Sequence, residues 1–327
     1  MPALPLDSLV AEFLTSLAHE RRLAAHTITN YQRDLRQLID AFAARPIQDV
    51  RATDVRQQVG QWRVKGLSPR SISRRLSAWR SFFDWLAQRM TLAANPAKSV
   101  RAPKSAKRLP KALSADWAVQ FVSGESNPVP SEPAPAADLF LEARDRAMLE
   151  LMYSCGLRLS ELVQLNVVPP SSNAEQRFGW VDVQAQEVSV IGKGNKARSV
   201  PVGRPALDAL SRWLACRNAH PKGSVSSALF INAQGTRLTG RTIERRFAAQ
   251  AQKTGMPTHV HPHMLRHSFA SHVLQSSGDL RAVQELLGHA QIATTQVYTH
   301  LDFQRLAQVY DAAHPRARRK PESGAAD

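Results

Sequence analysis

Cysteine is almost missing: 327 residues hold only Cys155 and Cys216. So few thiols exclude a disulfide framework and a cysteine zinc site, and they predict a reducing compartment, read here as the cytoplasm. No unbroken apolar run is long enough to span a bilayer, and no concentrated basic amphipathic anchor replaces one, so membrane insertion is not expected. The opening MPALPLDSLVAEF does not read as a signal peptide. Carboxylates are also scarce, with 27 Asp and Glu against 43 Lys and Arg and a formal charge of +16. That imbalance points to a polyanionic partner.

Several chemical signatures are absent as well. There is no GxSxG elbow, and neither cysteine has a catalytic setting. The Gly192-Lys193-Gly194 core lacks both the GxxxxGK[ST] spacing and the helix that should follow it, which excludes ATP binding there. His263 and His267 have the i, i+4 spacing of HExxH, but Met264 takes the Glu position and Arg266 between them opposes a cation. Neither a cofactor nor a metal is expected.

The residues that are present fall into two blocks. Up to about Pro96 the pattern is helical. Ile28, Tyr31, Leu35, Leu38 and Phe42 form one stripe; Ser68 and Pro69 signal the start of a helix whose seam is Ile72, Leu76, Trp79, Phe83 and Leu86. Trp62, Trp79 and Trp85 read as core, while Arg70, Arg74, Arg75 and Arg80 surround the seam as a basic surface able to follow a sugar-phosphate backbone. RAPKSAKRLPK then holds five Lys or Arg and no carboxylate among its prolines, an extended linker. The expected division is 1–97 for a helical unit, 98–112 for the linker, 113–314 for a second domain and 315–327 for a polar tail. Within the second domain, residues 123–138 are rich in Pro, Ser and Ala and read as a surface insertion.

Chemistry concentrates in the second block. ARDRAMLELMYSCGLRLSELVQLNV reads as helix, glycine stop, helix, with Gly156 ending the first, Ser160 near the cap of the second and Arg158 in the corner. A guanidinium and a helix amino terminus aimed at one point make a phosphate cradle, although Arg158 could equally pair with Glu161. Val188, Val190, Val200 and Val202 switch to the strand period around GKGN, giving a β-hairpin with Lys193 and Lys196 near its tip. RPALDALSRWLACR, ALFIN and GRTIERRFAAQAQ read as scaffold.

HPHMLRHSFASHVL, from His261 to Leu274, opens with Pro262 and sets His263, Arg266 and His267 on one arc with Leu265, Phe269 and Val273 opposite. His289 follows Gly288, and Tyr298 lies near the start of another short helix. An Arg, imidazoles and a phenol suit an anionic substrate such as a phosphodiester, with the phenol as the best available nucleophile.

Arg158, Lys193, His263 with Arg266, His289 and Tyr298 stand in the order of the tyrosine recombinase signature, and the chain resembles that family, which includes phage integrases and, more distantly, type IB topoisomerases. The segment from His261 to Ala317 is most similar to the bacterial recombinases that resolve chromosome dimers. The likeness spans nearly the whole chain; residues 123–138 and the stretch from Pro169 to Gly179 depart from it. It implies a mainly α fold in two domains. One is an amino-terminal, SAM-like helical bundle that binds DNA, and the other a mixed α+β catalytic domain with a small antiparallel sheet. It further implies that Tyr298 is the nucleophile and Lys193 the general acid, with His263 assisting the base step and Arg158, Arg266 and His289 holding the phosphate. Double-stranded DNA would be the substrate, cut without metal or ATP. Four protomers would act together, with a related recombinase as partner and a DNA translocase supplying direction. The helix after Tyr298, carrying Leu301, Leu306, Val309 and Tyr310, would dock on the adjacent protomer or, alternatively, pack within its own chain. His267 would orient its helix.

Overall fold

The computed structural model describes residues 5–21, 23, 25–92, 94–104, 112–124, 136–169, 178–192, 197–288 and 300–315. The chain divides into two compact units, residues 1–108 and 109–327. Among the described residues, no helix is long and apolar enough to cross a membrane.

The first unit comprises helices α1 (Leu6–His19), α2 (Ala25–Phe42), α3 (Ala52–Val64) and α4 (Pro69–Leu86). Ser68 caps α4 by accepting a bond from the Ser71 amide at 3.2 Å, with Pro69 in the first turn. The seam behind that cap is buried as its spacing predicts, and Phe82 and Trp85 join it. Leu35, Leu38 and Phe42 of α2 are also buried. Trp62 and Trp79 meet edge to face at 4.9 Å, and the Trp79 indole donates to the Asp34 carbonyl at 3.1 Å. These tryptophans are core, as their positions indicate.

The basic surface around α4 is narrower than the sequence implies. Arg74 pairs with the buried carboxylate of Asp34 at 2.9 Å, with Arg75 alongside at 3.8 Å. Arg80 donates to the carbonyls of Ala97 and Val100 at 3.0 and 2.6 Å, pinning the chain that leaves the unit. All three have structural partners, although Arg74, like Arg70, stays exposed.

The second unit comprises α5 (Ala115–Ser123), α6 (Ala136–Cys155), α7 (Leu159–Val163), strands β1 (Leu165–Asn166), β2 (Gly179–Asp182), β3 (Glu187–Ile191) and β4 (Ala197–Pro201), then α8 (Arg204–Ala219), α9 (Gly240–Lys253), α10 (Pro262–Ser277), α11 (Leu280–Leu287) and α12 (His300–Ala313). The sheet runs β1-β2-β3-β4. Its β3–β4 hairpin is the one expected, pairing Val188 with Val200 and Val190 with Arg198. The sheet is mixed, because β1 pairs parallel to β2 while the other pairs are antiparallel. A parallel neighbour needs a long return connection, and the polar stretch after Pro169 supplies the length.

α6 and α10 cross the middle of this unit. Met148, Met152 and Cys155 on one helix and Leu265, Phe269 and Val273 on the other belong to one buried cluster. α12 closes that cluster with Leu306, Tyr310 and Ala313. The Tyr310 hydroxyl lies 2.6 Å from the Ser154 hydroxyl, which also accepts from the Gly203 amide at 2.8 Å. Of the two arrangements expected for this helix, the single chain adopts packing within itself. In this structure its apolar face completes the core of its own chain, and Val309 packs against the same core.

Candidate active site

The site is assembled where the α6–α7 corner, α10, β4 and the end of α11 converge. Gly156 ends α6 at φ +57°, a left-handed conformation that glycine adopts without strain. A Cβ at this position would run into the Phe269 ring of α10. The chain can therefore turn there with α10 packed against it, and the turn delivers Arg158. Arg158, not Ser160, occupies the cap position of α7: its backbone amide donates to Glu161 Oε2 at 2.8 Å. Its side chain pairs with Glu161 Oε1 at 2.7 Å and donates to the Gly288 carbonyl at 3.1 Å. The contact with Glu161 thus coexists with partial exposure of the guanidinium.

α10 brings the second arginine. The imidazole of His261 caps it, accepting from the Met264 amide at 3.2 Å, and Pro262 occupies the first turn. Arg266 is 9% exposed and donates to the carbonyls of Gly156 at 2.5 Å and Leu287 at 2.6 Å. Burial, together with the neighbouring Arg158, pulls its pKa below the usual guanidinium value, while Glu161 at 3.8 Å supports the charge. A guanidinium remains protonated at neutral pH, so the group is a buried cation held ready for an anion. His263 stands exposed on the first turn of the same helix, and His267 is half-buried one turn further on.

Two residues join the site that its motifs do not name. Glu161, 4% exposed, is the carboxylate on which the cations converge. Its burial would raise its pKa, but the bonds and charge of Arg198, then of Arg158, outweigh this and hold it below the ordinary value. Arg198, buried on β4, grips both oxygens of Glu161 at 2.9 Å. A readable signal existed for it: Arg198, Val200 and Val202 share one face by strand alternation, and that face is apolar.

Lys193, His289 and Tyr298 lie outside the described residues. Lys193 follows Gly192 beyond β3, His289 follows Gly288 beyond α11, and Tyr298 precedes α12. The structure thus brings Arg158 and Arg266 together, with His263 on the helix of the second. Among the described residues, no group of three or more His, Cys, Asp or Glu side chains is disposed to hold a metal ion. Guanidinium donors gathered at one corner suit phosphate oxygens.

Comparison with known proteins matches residues 136–305 to the phage integrase family and residues 10–90 to the N-terminal SAM-like domain of phage integrases. The chain is 49% identical over 325 residues to Tyrosine recombinase XerC 1 of Ralstonia nicotianae, covering 97% of this chain and 96% of that protein. It is 48% identical over 314 residues to Tyrosine recombinase XerC of Alcanivorax borkumensis, with 96% and 95% covered. Tyrosine recombinase XerC of Escherichia coli O157:H7 is 47% identical over 317 residues, with 96% and 98% covered. Among solved structures, a lambda integrase dimer bound to a COC' core site gives a TM-score of 0.64 at 18% identity, over 90% of this chain and 99% of that one. XerH site-specific recombinase bound to difH gives 0.61 at 23% identity, over 91% and 83%. These two structures share the fold.

Proposed function

This chain belongs to the phage integrase family of tyrosine recombinases, site-specific DNA recombinases, and on that premise we propose that it is a XerC-type enzyme. It would act with a XerD-like partner at dif-type sites, in a heterotetramer on two duplexes, to resolve chromosome dimers at cell division. An FtsK-type translocase would supply direction, and the setting would be the cytoplasm. Residues 1–97 would bind DNA, 98–112 link, and 113–314 carry out catalysis.

The chemistry divides among this chain's residues as follows. The Tyr298 phenol attacks the scissile phosphorus in line, forming a 3′-phosphotyrosyl bond as the bond to the 5′ oxygen breaks. An unperturbed phenol is mostly protonated at neutral pH, so its proton has to go to a base, and His263, on the first turn of α10, takes that role in this reading. Lys193 donates a proton to the departing 5′ oxygen, and His289 binds a nonbridging oxygen. Arg158 and Arg266 balance the charge that accumulates on the phosphorane, work for which other phosphoryl-transfer sites use metal ions. The phosphodiester energy is kept in the enzyme bond, so neither metal nor ATP is called for. Rejoining is the same exchange in reverse.

The observation that carries this reading is the meeting of Arg158 and Arg266 on Glu161 and on the end of α11. Two guanidiniums fixed in place, that of Arg266 largely desolvated, are what an in-line displacement at phosphorus needs. The test is a nicked duplex carrying a dif-type site. The parent protein should trap a covalent adduct that Tyr298→Phe does not form and that chelator does not prevent; an undiminished adduct in the variant would remove Tyr298 from its role.

A further inference from the structure

The last carbonyls of an α-helix have no partners within the helix and form its negative end. At the end of α11, three such acceptors in succession are taken by three arginines from three different elements. Arg198 Nε donates to the Leu286 carbonyl at 3.0 Å, Arg266 Nη2 to that of Leu287 at 2.6 Å, and Arg158 Nη2 to that of Gly288 at 3.1 Å. The same three guanidiniums surround Glu161 on their other side. Arg158 and Arg266 have a part in the reaction proposed above. Arg198 has none, yet of the three it is the one whose guanidinium binds both oxygens of Glu161, each at 2.9 Å.

From this arrangement we infer that Arg198 is a positioning residue for strand cleavage, an inference that rests on the active site proposed above. The residue is 7% exposed on β4, and its guanidinium is spent on Glu161 and the Leu286 carbonyl. Its effect is transmitted in two directions. Toward the α6–α7 corner, it binds both oxygens of Glu161, which leaves the Arg158 guanidinium a single bond to Oε1 and Arg266 at 3.8 Å, rather than a two-toothed pair with either. Those two would otherwise be partly neutralised and turned away from the phosphate. Toward α11, it fixes the turn after which the chain continues into His289. Gly288 is shaped around it: the residue sits at φ +63°, and a Cβ there would lie 3.0 Å from Arg198 Nη1. One buried cation thereby sets both clamp arginines and the end of α11 at once.

The test uses the full chain and a nicked suicide duplex with a dif-type site. Single-turnover cleavage at saturating protein, DNA affinity and thermal melting are measured for the parent, Arg198→Met and Arg198→Lys. The parent must trap an adduct; if it does not, the proposed function fails and not this assignment alone. Given a competent parent, Arg198→Met should cleave on the order of 10²-fold more slowly at saturation, the effect of misplacing a clamp by about 1 Å, with affinity within about threefold by the same reasoning. Arg198→Lys should recover part of the rate. An ammonium keeps the charge beside Glu161 but cannot bind both its oxygens and the Leu286 carbonyl together. Parental cleavage in Arg198→Met, or parallel loss of cleavage, binding and cooperative melting in both variants, would overturn the assignment. If Arg198→Met does not fold, Arg198→Lys decides. A lysine variant with parental melting and affinity but at least about tenfold slower cleavage supports positioning, and parental cleavage refutes it.

Discussion

Arg266 donates a hydrogen bond to the carbonyl oxygen of Gly156 at 2.5 Å, so the buried arginine of α10 is held by the same turn that places Arg158. The two clamp residues are therefore mechanically one part. Gly156→Ala would force a methyl into the Phe269 ring and strain a left-handed backbone. Strain of that kind costs roughly 1–3 kcal/mol before the steric contact is added. The expected outcome is a lower melting temperature together with weaker cleavage, because Arg158 and Arg266 shift with the turn. Melting and adduct formation measured on one preparation check it; intact cleavage in a destabilised protein would separate the turn from the clamp.

Glu161→Gln removes the buried carboxylate on which three guanidiniums converge. Breaking a buried pair in this way costs about 3 kcal/mol. The pH dependence follows from the direction of its shift. The folded-state pKa lies below the ordinary 4.5, so the stabilisation is fully present above pH 4.5 and is lost as pH falls through the folded value. The parent should lose stability from this group in that acid window and Glu161→Gln should not. Urea titrations between about pH 3 and pH 7 would read the difference.

Much of this site was legible because its signals are local. The Gly156 stop, the Arg158 and Glu161 spacing of three residues, and the apolar arc of Leu265, Phe269 and Val273 all lie within a few residues of one another. The unread parts depend on distant partners. Arg74 and Arg80 look like free surface cations until Asp34 and the Ala97 carbonyl are brought to them. The stripe of Leu306 and Tyr310 announces burial, but a periodic pattern says nothing of which chain supplies the cover. Arg198 stood on an apolar strand face, a legible anomaly, yet its role needed the end of α11, which arrives from the other side of the domain.

His261 caps α10 through an imidazole nitrogen, and that cap operates only while the nitrogen carries no proton. Partial burial, then the charges of His263 and His259, hold its pKa below 6.5, with Glu244 opposing them. The neutral form is thus favoured by folding: its contribution is present above pH 6.5 and disappears as pH drops through the folded value. His261→Asn keeps a capping oxygen that does not titrate. The variant should match the parent near pH 8 and melt higher relative to it near pH 5. Melting curves across that range decide it, and parallel curves would mean the cap contributes nothing that depends on protonation.

Two tyrosines near the carboxyl-terminal helix should behave oppositely when changed to phenylalanine. Tyr310 is 1% exposed and bonded to Ser154, and burial pushes its phenol well above the usual value. It is held protonated and away from solvent, the reverse of what a nucleophile requires. Tyr310→Phe should therefore keep covalent adduct formation while costing about 1 kcal/mol, the contribution of one hydrogen bond. Loss of adduct in Tyr310→Phe with melting unchanged would contradict this division of roles. An unchanged melting temperature with unchanged cleavage would show that α12 does not rest on Ser154 in the free protein, and would return its apolar face to a neighbouring protomer.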